Sequence, residues 1–472
     1  MTEDLRKIDP TSLTYSVTGF RSLRNFKISI VPGLNIITGR NGSGKTNFIE
    51  FLDFLSIFIR NGLGAAVSTL GGTNRIFSQE ALRSRSPRLI IQVSGLATLP
   101  VGPKLHEVQT STPFFRFDYN LEIRINKQSA KVFIAKECVS FFRLMDDPKS
   151  FEEQRVLGKI ELNRRLDQDT QSIEGSYSYS PRLLTSSGRN PLRFLARPYL
   201  RSREGVKPAQ ARQDNFDQIL SSPDETESLL SNAYPFPAMS AITTALSRSR
   251  AFNFLPSQIR KPNNITDSPE IAPDGSGLSA ALYHMHYMES RGGRRVFGPR
   301  YTPNALAKVV SWSKLLIPEL ANISANPDLN TGTYQAYLWI ESEKSLGQLK
   351  LPLHSASDGT LKWLALASKL AQEPSYLTIE EPENFLHPMM QSFLVQMLRE
   401  NSEDSDGSPN YIILSTHSET IINNCHPREM ILFEFSDHKS SCKRISNSDN
   451  LISEMNRTGF GLGYYYVANA IS

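Results

Sequence analysis

Cysteine is almost missing from this sequence, with three in 472 residues. Cys138, Cys425 and Cys442 lie far apart and outside any metal-ligand spacing, which excludes a disulfide framework and a cysteine zinc site. Long hydrophobic runs are missing too. No apolar stretch approaches the roughly 20 residues that cross a bilayer, so no membrane anchor is expected. Met1 to Pro10 mixes acidic and basic residues without an apolar centre, so no signal peptide is read there and a cytoplasmic location is expected. No heptad pattern runs from Phe141 to Glu341, which excludes long coiled-coil arms.

Charge of one sign is also scarce. The 52 basic and 47 acidic side chains leave a net charge of +5, too small for this length to announce a nucleic-acid binder. Between Arg182 and Arg212, however, Arg189, Arg193, Arg197, Arg201, Arg203 and Lys207 are opposed only by Glu204. These side chains could contact nucleic-acid phosphates. No aromatic stacking pattern accompanies them, and a solvated or partner-facing loop is the favoured reading.

What is present begins near the N-terminus. Strand-like runs lead through Leu34, Ile36 and Ile37 into the turn GRNGSGKT, and a helix follows with Phe48, Ile49, Leu52, Leu55 and Ile59 at helical spacing. Strand, glycine loop and helix are the order that a phosphate-binding loop requires. Gly39, Gly42 and Gly44 allow successive N–H groups, with Asn41 and Ser43 between them, to face one anion at the positive end of the helix. Lys45 is expected to reach the β- and γ-phosphates, and Thr46 to offer its hydroxyl to Mg²⁺.

About three hundred residues later, SYLTIEEPENFLHP joins a short apolar strand to two consecutive carboxylates. Glu380 is expected to bind Mg²⁺, directly or through water, and Glu381 to orient and activate the water that attacks the γ-phosphate. The strand YIILSTHSE then places His417 at its C-terminal edge as a candidate γ-phosphate sensor. Upstream, Ser357-Asp358-Gly359-Thr360 opens a helix that buries Leu361, Leu364 and Leu370, a turn able to present hydroxyl and backbone donors to a phosphate.

Together, GRNGSGKT, ASDGT, TIEEPENFLHP and STHSE resemble the phosphate-binding loop, signature, Walker B/D-loop and switch-histidine elements of ABC ATPases. The resemblance is to the branch containing the RecF, SMC and OLD-type ATPases. GFRSLRNFKI, FNFLPSQIR and DGSGLSAAL fit the same branch, and the stretch from about Phe141 to Arg250 matches nothing nameable. The resemblance implies that two heads sandwich two ATP molecules, with Ser357, Asp358 and Gly359 of one completing the site of the other. It also places Pro382, Glu383, Asn384 and His387 at the head–head interface. Ala356 stands where the family usually has Leu before the signature serine.

The expected fold is therefore α/β: a P-loop head of ABC type with a mainly parallel core sheet, an antiparallel β lobe and a largely helical insertion. The head's N-terminal half is placed at 12–140, the insertion at 141–344 and the C-terminal half at 345–472. The alternation of Phe115, Phe117, Tyr119, Leu121 and Ile123, a turn at Asn126 to Ser129 and a return through Val132 and Ile134 predict a hairpin of the antiparallel lobe. TESLLSNA and AMSAITTALSRSR are helical candidates within the insertion. Only about forty residues follow Met430, too few for the TOPRIM nuclease of OLD-type proteins.

The function expected is ATP hydrolysis with ATP and Mg²⁺ as cofactors, in a homodimer or higher homo-oligomer that controls a separate effector, a nuclease or toxin. By analogy this is the ATPase component of a bacterial anti-phage system of PARIS or Septu type. The alternatives are a RecF-like repair ATPase that binds DNA, and a nucleotide-stabilised scaffold with slow hydrolysis.

Overall fold

The structure is a computed structural model that describes residues 12–98, 114–143, 159–166, 173–179, 224–231, 237–247, 249–290, 304–341, 347–372, 376–402, 410–445 and 448–468. The basic stretch from Arg182 to Arg212 lies outside the described residues.

Three sheets carry the architecture. The first is antiparallel and comprises β1 (Leu13–Thr18), β2 (Phe26–Ile30), β4 (Arg88–Thr98), β5 (Phe114–Asn126), β6 (Lys131–Arg143), β7 (Lys159–Leu166) and β8 (Ile173–Tyr179), in the order β2-β1-β4-β5-β6-β7-β8. The expected hairpin is its β5–β6 pair, and Phe115, Phe117, Tyr119, Leu121 and Ile123 are all buried. The second sheet holds the chemistry-bearing strands: β3 (Gly33–Gly39), β9 (Ala251–Phe252), β14 (Tyr376–Glu380), β15 (Tyr411–Ser415), β16 (Met430–Ser436) and β17 (Lys439–Arg444). Its order is β17-β16-β3-β15-β14-β9, parallel throughout except for the β16–β17 hairpin. The core sheet is thus mainly parallel, as expected. Ile36, Ile37, Ile379, Ile412, Ile413 and Leu414 make it continuous apolar strand, the pattern of a sheet covered on both faces.

The helix Lys45–Thr69 is wedged between these two sheets. Its Phe48, Phe51 and Phe54 are buried beside Tyr15, Phe20, Phe26 and Phe433, and Phe58 stacks on Phe54, with ring centroids about 6 Å apart. At 25 residues it is long and apolar enough to cross a membrane by length and composition, which corrects the expectation that no stretch approaches that size. Glu50, Asp53 and Arg60 interrupt its apolar run in sequence, while its aromatic face is buried by protein. At Gly62 (φ 82°) the helix kinks, and the freed Leu63 N–H donates to the Thr226 carbonyl at 2.8 Å.

Among its described residues the insertion is not largely helical. Strands β7 and β8 extend the antiparallel sheet, while β10 (Asn263–Asn264), β11 (Leu320–Asp328) and β12 (Thr333–Glu341), together with β13 (Gln348–Pro352) beyond it, form a third sheet. The helices Leu278–Ser290 and Ala305–Lys314 pack on that sheet. The physical reason is visible in β12, where buried Tyr334, Ala336 and Leu338 alternate with half-buried Gln335, Tyr337 and Trp339, a period of two rather than 3.6.

Of the two helical candidates, Pro237–Ser247 is a helix, but 224–231 is a turn. The Asp224 carboxylate accepts from the Thr226 and Glu227 N–H groups at 2.6 and 3.1 Å, and the Thr226 carbonyl is spent on the kinked helix. A buried cluster fastens this turn to the antiparallel sheet. Glu137 accepts from Tyr119 Oη, Ser228 Oγ and the Leu229 N–H, while Arg164 pairs with Glu137 at 3.3 Å and donates to the Asp224 and Glu227 carbonyls.

Candidate functional site

The loop between β3 and the helix Lys45–Thr69 takes its shape from its glycines. Gly42 and Gly44 have φ of 79° and 102°, and a side chain at Gly44 would collide with Ser440. Ser43 Oγ is buried within the loop and has no protein partner. Such an orphaned hydroxyl inside a glycine cradle, at the N-terminus of a long helix, fits a polyphosphate. Lys45 is only 6% exposed and donates from Nζ to the carbonyls of Gly39 at 2.8 Å and Arg40 at 3.2 Å. Burial lowers its pKa, while Glu381, Glu383 and Glu380 pull it back up. The ammonium therefore lies across the loop, facing three carboxylates.

Thr46 and Glu380, 334 positions apart in sequence, meet where the helix start and the end of β14 converge. Thr46 Oγ1 donates to Glu380 Oε1 at 2.9 Å. Burial raises the Glu380 pKa, the Thr46 hydrogen bond lowers it and neighbouring Glu381 raises it again. Two hard oxygen donors in contact suit Mg²⁺, which takes one or two protein ligands and completes its shell with phosphate and water. Among the described residues no cluster of three or more His, Cys, Asp or Glu could hold a metal by itself.

Glu381 follows the strand in an unusual backbone state, φ 42° in a residue that is not glycine. Its N–H donates to the Ser415 carbonyl at 3.0 Å, its carbonyl accepts from Lys362 Nζ at 3.2 Å, and its carboxylate accepts from Asn384 Nδ2 at 3.2 Å. Strain of this kind persists where the surroundings over-determine it, and it clusters at functional sites.

His417 leaves β15 beside these groups. Its backbone N–H and Thr416 Oγ1 both donate to Glu383 Oε1, at 2.7 and 2.9 Å. The imidazole pKa is lowered by burial first and by Lys45 second, so the ring is neutral near pH 7.

Ser357 is the N-cap of the helix Asp358–Leu370, and its Oγ accepts from the Thr360 N–H at 3.2 Å. Arg260 fixes this turn by donating to the His354 carbonyl at 3.2 Å, the Ala356 carbonyl at 2.9 Å and the Asp358 carboxylate. Gly359 lies against the Phe385 carbonyl, where a side chain would have 2.8 Å of room. None of the described hydrogen bonds joins Ser357, Asp358 or Gly359 to the glycine loop.

The structure thus brings together Gly39, Asn41, Gly42, Ser43, Gly44, Lys45 and Thr46 on the loop and helix start with Glu380, Glu381 and His417 at the ends of β14 and β15. It holds Ser357, Asp358 and Gly359 apart, against the 381–387 turn. Four contributors escape the motif reading: Asp53, Arg260, Lys362 and, as the anchor of the His417 backbone, Glu383. Asp53 Oδ1 accepts from the Ala251 N–H at 2.8 Å and so ties edge strand β9 to the loop helix.

Over 77 residues the chain is 30% identical to the DNA replication and repair protein RecF of Beutenbergia cavernae, spanning 16% of this chain and 19%, about a fifth, of that protein. Among solved structures it is similar to an SMC head bound to the C-terminal winged-helix domain of ScpA, with 13% identity, coverage of 93% and 100% of the two chains, and a TM-score of 0.44. It is likewise similar to the SMC head domain from Thermotoga maritima, with 10% identity, coverage of 92% and 99%, and a TM-score of 0.37. These overlaps are too loose to carry a functional statement. The AAA_21 profile, by contrast, matches residues 34–423, from the strand before the glycine loop to beyond His417. The chain belongs to the AAA_21 family, described as an AAA domain, putative AbiEii toxin, type IV TA system.

Proposed function

We propose that this protein binds and hydrolyses ATP as an ABC-type ATPase whose sites are completed when two copies meet. The observation that carries the reading is the 2.9 Å contact of Thr46 with Glu380 beside the buried Lys45, which builds an Mg²⁺–triphosphate site from two distant segments. The loop N–H groups of Asn41 to Gly44, Ser43 Oγ and Lys45 bind the phosphates. Thr46 and Glu380 hold Mg²⁺, which when bound offsets charge on the phosphate oxygens. Glu381 orients and deprotonates the attacking water, and His417 donates toward the γ-phosphate. Ser357, Asp358 and Gly359, held away from the loop of their own chain, serve the nucleotide of the second copy.

In this reading the protein is cytoplasmic and forms a homodimer or higher homo-oligomer. Nucleotide-dependent pairing controls a separate effector, a nuclease or toxin, in a bacterial anti-phage system. The toxin–antitoxin wording of the family description supports that setting. A second reading, a RecF-like ATPase that acts on DNA, has the 77-residue likeness in its favour. Salt-dependent DNA binding that weakens when Arg189 to Arg203 are replaced would select it.

The test is ATP turnover by wild type, Lys45→Ala and Glu381→Gln, with oligomer size measured with and without ATP. Turnover lost in both variants and an ATP-trapped Glu381→Gln assembly support the proposal. A wild type that neither binds nor hydrolyses ATP sinks it.

A further inference from the structure

We propose that Lys362 is a positioning residue through which the signature helix sets the backbone of Glu381. The proposal deepens the composite-site reading above and rests on it. Lys362 lies one turn into the helix Asp358–Leu370, and its side chain is fully buried. Among the described residues it makes no ion pair closer than 4 Å. Its ammonium donates to the Glu381 carbonyl at 3.2 Å and lies 5.9 Å from the centroid of the Phe385 ring.

A buried ammonium is costly to keep unless its environment compensates it. Here burial pushes the Lys362 pKa down to about 8, with Glu383 and Glu381 opposing the shift. A leucine would fill this apolar helix more cheaply, for Leu361, Trp363, Leu364, Ala365 and Leu366 around it are all buried. What the lysine adds is a hydrogen bond to one particular carbonyl.

That carbonyl belongs to Glu381, a residue held at φ 42° although it is not glycine. The N–H of Glu381 is held by Ser415 at the end of β15, and its carbonyl is held by Lys362. The peptide plane before Glu381 is therefore held by the switch strand and the plane after it by the signature helix, which together fix the φ and ψ from which its side chain departs. Gly359, one turn before Lys362, lies against the Phe385 carbonyl, so the helix start has no free space in which to slide past the 381–387 turn. A nucleotide of a second copy that engages Ser357 thus acts on a helix whose first turn touches Phe385 and whose second turn holds Glu381. Lys362 relays engagement of the signature turn to the carboxylate that hydrolyses the chain's own nucleotide.

The experiment compares wild type with Lys362→Met and Lys362→Arg, measuring kcat, ATP affinity by titration and thermal melting. ATP-driven assembly is measured in each variant combined with Glu381→Gln. Methionine keeps the length and the packing but cannot donate, whereas arginine keeps a cationic donor. Lys362→Met is expected to bind ATP within about threefold of wild type and to assemble normally, while kcat falls by about a hundredfold, as for a misplaced reacting group. Lys362→Arg is expected to recover at least tenfold of that loss. Turnover of Lys362→Met within twofold of wild type overturns the proposal. So does a parallel fall of kcat, affinity and melting temperature in both variants, unfolding included, because that is the signature of core packing alone. A wild type without turnover is a failure of the ATPase reading instead, and it is seen in the same assay before any variant is compared.

Discussion

Asp53 offers a test of the architecture that needs no nucleotide. Its carboxylate sits two turns into the loop helix and accepts the Ala251 N–H, which latches β9 beside β14, with Ala251 opposite Thr378 and Phe252 opposite Ile379. Burial raises its pKa from 3.8 to about 6; the Ala251 hydrogen bond and Arg250 work against the shift, and Glu380 adds to it. A raised carboxyl pKa means that the folded state holds its proton more tightly than the unfolded chain. The contribution of Asp53 to stability is then fully present below about pH 4, where both states are protonated, and is lost as pH rises to 6 and above. Two pK units at 1.36 kcal/mol each put the loss by pH 7 at about 3 kcal/mol, as an upper value. Asp53→Asn keeps an oxygen for the Ala251 N–H and removes the ionisation. The variant should match wild type near pH 4 and exceed it by roughly 1–3 kcal/mol at pH 7. Denaturant unfolding of both proteins at the two pH values, in chelator and without nucleotide, measures the difference. Equal stabilities at pH 7, or a less stable Asn variant, would refute the claim that a desolvated carboxylate latches β9 to the loop helix.

Arg164→Met should destabilise by about 3–5 kcal/mol, read by the same unfolding assay, because it leaves the Glu137 carboxylate buried without its cation. Gly44→Ala places a methyl group against Ser440 at φ 102°, so ATP binding should be lost with the fold retained by circular dichroism. Mg²⁺-dependent ATP binding should weaken on acidification sooner than an ordinary carboxylate would allow, since burial raises the Glu380 pKa and the protonated acid cannot bind the cation. Titration of ATP affinity from pH 7 to pH 5 with and without Mg²⁺ checks this, and Mg²⁺-free binding serves as the control.

The parts of the site proposed to touch phosphate are legible in the sequence because that chemistry would be dictated locally. A polyphosphate needs consecutive N–H groups, an ammonium and a hydroxyl within one turn, so Gly42, Gly44, Lys45 and Thr46 stand within five positions of one another. Glu380 and Glu381 are as local, at the end of an apolar strand. The residues that hold these groups in place obey a different constraint. Asp53, Arg260 and Lys362 are chosen by what lies across from them in space, and each looks like an ordinary charge on a helix or loop when read along the chain, while Glu383 reads there only as an interface residue and not as the anchor of the His417 backbone.

Lys362 nevertheless left a trace. Its helix reads LKWLALASKL, apolar on nearly every face, and a helix apolar all round is one the protein encloses. A charge inside such a helix cannot be a solvated one, so its burial was deducible before its partner was. The insertion shows the converse error. Its turns drew attention to short helical fragments, while TYQAYLWIE carried a period-two alternation that marks a strand with one covered face. Where both periods can be scored, the position of polar residues relative to the apolar set separates them: Thr333, Gln335 and Glu341 all fall on one side of a period-two pattern in β12, whereas the polar residues take no regular place around the signature helix. That same comparison picks out Lys362 as a buried cation and the Trp339 strand as sheet, from the residues alone.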